Sequence, residues 1–177
     1  MHLSTDLVFA GRPAPYTEHD EPAPIIEYGH WKAAAEAEVL GICPDAVVVR
    51  TSLIYATDTS SPPQADVEAV LARRSSMRFF TDEVRCPVHA ADLAAAVAEL
   101  ADRRDITGPL HVAGPDALSR ADIAARLARW MGHDPSGLPS TSLAASGLVR
   151  PGHVVLDCSR AVDLGLACRS MDETLRS

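Results

Sequence analysis

At 177 residues and 47% apolar, the chain is long enough to bury one core, and runs such as Ala46-Val47-Val48-Val49 exclude a disordered protein. A formal net charge of −8 excludes a nucleic-acid binder driven by backbone charge, and any anionic ligand would have to be held by local arginines against the overall field. Nothing approaches the roughly 18 consecutive apolar residues of a membrane span, and the first residues lack the basic start of a signal peptide, so the chain reads as soluble and cytoplasmic.

Taken in order, Leu3 to Phe9 predicts a short strand, followed by a Pro-rich connection from Gly11 to Pro24. Tyr28 to Leu40 predicts a helix, with four alanines and no β-branched residue before Val39. Ala46 to Tyr55 is a β-branched run of the buried-strand type. Ser60-Ser61-Pro62-Pro63 marks a loop, and Val67, Val70 and Leu71 then give a short amphipathic helix. Met77 to Phe80 and Val84 to Val88 are extended segments, after which Leu93, Val97 and Leu100 recur at i, i+4, i+7 on a helix. A short strand at Leu110 to Val112 precedes a helix capped by Ser119, with Asp122 completing a capping box and Gly132 stopping it. Val154 to Leu156 predicts one more strand. Strands alternating with helices predict a parallel α/β sheet flanked by helices on both faces.

The cysteines Cys43, Cys86, Cys158 and Cys168 show no CxxC spacing and predict reduced, mostly packed thiols. His89, His111 and His153 form no metal-ligand spacing, so no metal is expected. Among the cations the usage is lopsided: fifteen arginines stand against one lysine, Lys32. Arginine stays charged and forked, whereas a lysine ammonium is compact and its pKa shifts readily, so Lys32 marks a place where a guanidinium would fail. Tyr28 stands at i−4 from Lys32 and so shares its helix face. A phenol near pKa 10 becomes a useful proton donor at neutral pH when a nearby ammonium stabilises its phenolate. Upstream, Ser4 and Thr5 stand where a strand meets a loop, and Thr5 could donate to a substrate oxygen. Trp31 is expected to be packed, and His30 to be a solvated neighbour of Tyr28.

Ser4-Thr5-Asp6-Leu7-Val8-Phe9, Pro15-Tyr16-Thr17-Glu18-His19-Asp20 and Tyr28-Gly29-His30-Trp31-Lys32 follow one another in the chain. Arg50-Thr51-Ser52-Leu53-Ile54-Tyr55, Asp92-Leu93-Ala94 and His111-Val112-Ala113-Gly114-Pro115 come after them, as do Arg150-Pro151 and Leu156-Asp157. In this order and spacing the motifs resemble the extended short-chain dehydrogenase/reductase superfamily, and most closely its dTDP-4-dehydrorhamnose reductase-like branch. The resemblance covers essentially the whole chain. It implies a partial Rossmann-type parallel sheet flanked by helices with a small C-terminal substrate-binding subdomain. Residues 1–60 would supply late Rossmann strands and the catalytic helix, and residues 61–177 mostly the substrate-binding part of a single domain.

The implied reaction is hydride transfer from NADPH or NADH to a keto-sugar nucleotide. Tyr28 would be the proton donor, Lys32 would tune it while binding the nicotinamide ribose, and Thr5 would orient the carbonyl. Thr51 would lie near the nicotinamide and Ser52 near the sugar. The alanine-rich helix face after Lys32 would allow close helix approach in a homodimer.

Three departures accompany the resemblance. No GxxGxxG or GxGxxG occurs in these 177 residues, so the Gly-rich turn that holds the cofactor pyrophosphate in the family is not among them. The first strand is therefore expected to expose an unpaired edge, and the chain as it stands to show little or no reductase activity. Leu53 stands where the family has a tryptophan beside the sugar, and Arg85-Cys86-Pro87-Val88 replaces Gly-x-Pro-Thr, which puts rhamnose precursors in doubt as the substrate. A rival reading keeps the fold without the chemistry, as a binding module for a sugar nucleotide or a partner. The same Ser-Thr-Asp strand occurs in the non-catalytic regulatory subunit of methionine adenosyltransferase. A second rival, a helix-turn-helix transcription factor beginning at Ala117, is disfavoured, because Gly132 to Gly147 contains no basic residue for a recognition helix and the net charge has the wrong sign.

Overall fold

The computed structural model describes residues 1–58 and 60–176. Its elements in chain order are β1 (His2–Thr5), α1 (Glu27–Ile42), β2 (Val47–Thr51), β3 (Ile54–Tyr55), α2 (Pro62–Leu71), β4 (Phe79–Phe80), β5 (Val84–Arg85) and β6 (Val88–His89). There follow α3 (Ala90–Asp102), β7 (Gly108–His111), β8 (Leu118–Ser119), α4 (Arg120–Trp130), β9 (Ser140–Thr141), α5 (Leu143–Ser146), α6 (Ser159–Asp163) and α7 (Met171–Thr174). β1, β2 and β7 form a parallel three-stranded sheet in that order. The remaining strands pair in twos, β3 with β6, β4 with β9 and β5 with β8.

Side chains alternate across the central sheet as the strand period of two requires. On one face Val47, Val49, Leu110 and Val112 pack against Leu93, Ala96 and Leu100 of α3. The other face carries a polar row, because the register sets Ser4 opposite Arg50 and Arg50 opposite His111. All three are buried, and α1 answers them with the buried Glu36. A second core joins Val67 and Val70 of α2 to Ile123 and Leu127 of α4 around Tyr55, Phe79 and Met171.

Several local expectations change. The first strand ends at Thr5, because the Thr5 hydroxyl accepts the Leu7 amide and caps a 3₁₀ turn over Asp6–Val8. The Ala46–Tyr55 run is two strands in different sheets, β2 and β3. Pro62 and Pro63 belong to α2 rather than to a loop: Ser61 and Gln64 form a capping box, and proline suits a first helical turn that has no intrahelical N–H bonds to lose. Val154–Leu156 is not a strand; this stretch makes only isolated bridges, Tyr16 with Leu156 and Val84 with His153. The Ser119–Asp122 capping box and the left-handed Gly132, with φ +80°, are as the sequence reads. The cysteines are free, three of them buried or half-buried and Cys43 exposed. Burial pushes the Cys86 thiol to about 11. Among the described residues no helix is long and apolar enough to cross a membrane, and no cluster of His, Cys, Asp and Glu is suited to a metal ion.

α1 departs most from a conventional amphipathic helix. Its buried residues are Gly29 and Glu36 alone, while Trp31 is 63% and Ile42 82% exposed, so the expectation that Trp31 is packed fails. Gly29 is required by a close approach: a Cβ there would fall 2.2 Å from the Leu7 carbonyl oxygen and 2.8 Å from Pro24 Cβ. Gly29→Ala should therefore destabilise the protein by about 2 kcal/mol or more, although alanine is the better helix former by about 1 kcal/mol. Gly41→Ala, in the same helix with nothing within 4 Å of where the new Cβ would stand, should stabilise or be neutral. Urea unfolding midpoints of the two variants check the opposite signs; a stabilised Gly29→Ala would show that the helix does not sit on Leu7.

Candidate functional site

β1 is an edge strand, with Leu3 46% exposed. α1 crosses it by the Gly29 contact, which puts the start of the helix against the turn that follows Thr5. Tyr28 is 48% exposed and its hydroxyl makes no hydrogen bond among the described residues. Lys32 Nζ donates to the Leu3 carbonyl at 2.7 Å and lies 3.5 Å from His2 Nε2. An ammonium on an open strand edge satisfies a carbonyl that a neighbouring strand would otherwise take. Burial, reinforced by the Lys32 charge, holds the His2 imidazole below its ordinary value, so His2 offers Lys32 a lone pair and not a second cation.

Thr5 and Thr51 are register partners at the ends of β1 and β2. The Thr51 hydroxyl is buried and has no hydrogen-bond partner among the described residues. Thr5 Oγ1 donates to Asp6 Oδ1 at 3.2 Å, so its proton points at Asp6 and must be redirected before it reaches a substrate oxygen. Ser52 is buried; its Oγ donates to Asp6 Oδ2 at 2.6 Å and accepts the Cys86 amide at 3.1 Å. With its one proton so placed, Ser52 organises Asp6 and offers little to a ligand in this arrangement.

Asp6 stands at the centre of these bonds, a role that its place in the Ser4-Thr5-Asp6 motif does not give it. It is 3% exposed, and burial pushes its carboxyl above the usual range against the pull of Arg85, Ser52 and Thr5. Arg85 Nε lies 3.7 Å from Asp6, and Arg85 Nη2 lies 3.3 Å from Glu83, which Arg150 holds at 2.8 Å. Arg85 also donates to the carbonyls of Val84, Gly152 and Pro151. The replacement of the family's glycine by Arg85 was the available signal: its guanidinium fills a buried position between two carboxylates. Leu53 packs half-buried against the second core.

Behind the site lies the polar row. Glu36 accepts both Arg50 Nε (3.1 Å) and Nη2 (2.7 Å), as well as the Ser4 hydroxyl. His111 is fully buried, and its Nδ1 lies 3.2 Å from the Asp157 carbonyl. Burial lowers its pKa, with Arg50 acting in the same sense and Glu18 opposing. The unfolded imidazole takes up its proton near 6.5 and the folded one only at lower pH, so in that window the unfolded state binds more protons and stability falls as pH falls. The urea midpoint should therefore drop between about pH 7 and pH 5.5, and His111→Gln should flatten that slope. An unchanged slope in the variant would remove His111 as the cause.

An edge-stranded parallel sheet with a Tyr–Lys helix docked at its strand ends places the molecule among Rossmann-like α/β proteins. Residues 1–177 match the RmlD substrate binding domain family, and the chain belongs to that family. It is 34% identical over 184 residues to the probable low-salt glycan biosynthesis reductase Agl14 of Haloferax volcanii, covering 99% of this chain and 61% of that protein. It is 32% identical over 170 residues to a dTDP-4-dehydrorhamnose reductase of Mycolicibacterium smegmatis, covering 94% of this chain and 52% of that one. Methionine adenosyltransferase 2 subunit beta of Danio rerio is 29% identical over 185 residues, covering 96% and 55%. The crystal structure of dTDP-4-dehydrorhamnose reductase from Bacillus anthracis in complex with NADP superposes with a TM-score of 0.83 at 25% identity, over 98% of this chain and 62% of that one. The chain thus spans between about half and three-fifths of the length of these relatives.

Proposed function

We propose that this chain is the catalytic-helix and substrate-binding part of an NAD(P)H-dependent reductase of keto-sugar nucleotides. The observation that carries the reading is the free Tyr28 hydroxyl one helical turn from Lys32, at the helix start that Gly29 seats on the turn after Thr5. NAD(P)H, when bound, supplies the hydride. Tyr28 gives its proton to the substrate oxygen, Lys32 favours the phenolate by its charge, and Thr5 turns its hydroxyl from Asp6 to the same oxygen.

The residues present fit one end of such a cofactor. Thr51, buried with an unpartnered hydroxyl, together with Tyr28 and Lys32 would hold the nicotinamide ribose end. The pyrophosphate end finds no Gly-rich turn in the 177 residues. The test is therefore made with the chain joined to the remaining portion of a long relative such as the M. smegmatis reductase. Loss of NADPH absorbance with a keto-sugar nucleotide is expected from the joined protein and little or none from the 177 residues alone. A well-folded joined protein that binds NADPH and turns over no keto-sugar nucleotide overturns the reading.

A second reading, a binding module without hydride chemistry, is favoured by the Lys32 ammonium resting on the Leu3 carbonyl and not on Tyr28. It gains support from the likeness to the methionine adenosyltransferase subunit. Calorimetry with NADPH separates the two, since this reading expects no heat from the folded joined protein.

A further inference from the structure

The loop that leaves α2 carries a charge pattern opposite to that of the chain. Between Glu68 and Asp82 there is no carboxylate, whereas Arg73, Arg74 and Arg78 stand close together in a protein of net charge −8. Arg73 follows the helix C-cap Ala72 and holds φ +56°, the one positive φ among the described non-glycine residues. Glycine adopts that left-handed conformation without strain and is the usual residue just past a helix end. An arginine in its place points to a use for the side chain. The Arg73 and Arg74 side chains are exposed and make no hydrogen bond or ion pair among the described residues. Ser75 is engaged, its hydroxyl accepting the Met77 amide at 3.2 Å. Ser76 is exposed, and neither its amide nor its hydroxyl makes a hydrogen bond among the described residues. Residues 75–78 belong to no helix or strand.

Ser76 is the one serine or threonine of the sequence with arginine both three and two residues before it. Kinases that select substrates by charge pattern read arginines at fixed offsets, through carboxylates that their forked donors match. We propose that Ser76 is a phosphorylation site for an arginine-directed serine kinase. Because Ser76 is tied down by no hydrogen bond of its own, the segment can enter a kinase groove without the protein unfolding. Ser76 Oγ bonds to the γ-phosphorus of Mg-bound ATP as the bond from that phosphorus to the β,γ-bridging oxygen breaks. ADP leaves with that electron pair, and the serine proton passes to the kinase's catalytic carboxylate. Arg73, Arg74 and Arg78 then clamp the phosphate. Arg78 now donates to the Ser140 carbonyl from Nε at 3.1 Å and Nη2 at 2.8 Å, and a phosphate is the stronger acceptor. Arg78 also lines a cavity of about 480 Å³ together with Arg120 and Arg150, so the modification would redraw part of that wall. The proposal does not depend on the reductase reading.

Incubation of the folded chain with Mg-ATP and a purified arginine-directed serine kinase, with intact and peptide masses locating the phosphate, tests it. One phosphate is expected, on Ser76; Ser76→Ala should abolish it and Ser75→Ala should not. Arg73→Gly, which relieves the left-handed backbone, should leave the urea midpoint equal or higher while slowing the transfer about tenfold or more. Arg74→Met should slow it to a similar extent. Followed by phosphorus NMR, the second ionisation of the phosphate should lie below its ordinary value of about 6 and rise in Arg78→Met. Folded chain that takes up no phosphate while the kinase labels its standard peptide overturns the proposal. So does a phosphate carried elsewhere, or a rate indifferent to both arginine variants. An ionisation unchanged between wild type and Arg78→Met overturns the part of Arg78 in the clamp. None of these results bears on NADPH oxidation, so the reductase reading stands or falls separately.

Discussion

Glu36→Ala should cost about 3–5 kcal/mol of stability, a large share of the 5–15 kcal/mol typical of a domain. Glu36 and Arg50 are each 3% exposed, and Glu36 receives both Arg50 bonds and the Ser4 hydroxyl. Truncation leaves a buried guanidinium uncompensated beside His111, the expensive half of breaking such a pair. Replacing both partners, Glu36→Leu with Arg50→Met, should recover most of the loss, since apolar side chains of similar volume often serve as well in a buried site. Urea midpoints of the single and double variants decide it. A single variant within about 1 kcal/mol of wild type would mean that water reaches the pair. The consequence extends beyond stability, because α1 buries only Gly29 and Glu36 and carries Tyr28 and Lys32: the ion pair holds the candidate catalytic helix on the sheet.

Tyr28→Phe, in the joined protein, should lower kcat by about 10²–10⁴ while the fold stays intact and KM for NADPH, whose ribose end Lys32 and Thr51 still hold, changes little. The hydroxyl belongs to a half-exposed side chain and makes no hydrogen bond among the described residues, so its removal leaves no buried group unsatisfied there. A loss confined to kcat, measured as NADPH oxidation at saturating substrate, is the signature of a proton donor and not of a structural residue. Equal activity of the variant would remove Tyr28 from that role.

Much of the fold was legible because local chemistry and tertiary packing agree where a pattern is strong. The Ser119–Asp122 box, the Leu93–Leu100 spacing and the Val47–Val49 run became α4, α3 and β2, each buried as its period requires. Failures cluster where one residue answers to a distant partner. Thr5 caps a turn in place of continuing a strand, and Val154–Leu156 finds single bridges where a full ladder was expected. Trp31 looked packed by residue type, yet α1 meets the sheet through a glycine and a glutamate, a docking that apolar periodicity cannot signal. Asp6 lies in a motif and Arg85 in a departure from one, yet their pairing has no local mark, because it is a 3.7 Å approach across 79 positions of chain.

By itself, then, the order of residues determined the α/β class, the family motifs and the pairing of Tyr28 with Lys32 on one helix face, since these depend on spacing along a single element. Only the tertiary structure decided that Lys32 rests on the Leu3 carbonyl, that Ser4, Arg50 and His111 form one buried row, and that Arg78, Arg120 and Arg150 line one cavity. Register between strands and the neutralisation of buried charge arise from contacts between segments far apart in the chain, and those exist only once the sheet has assembled.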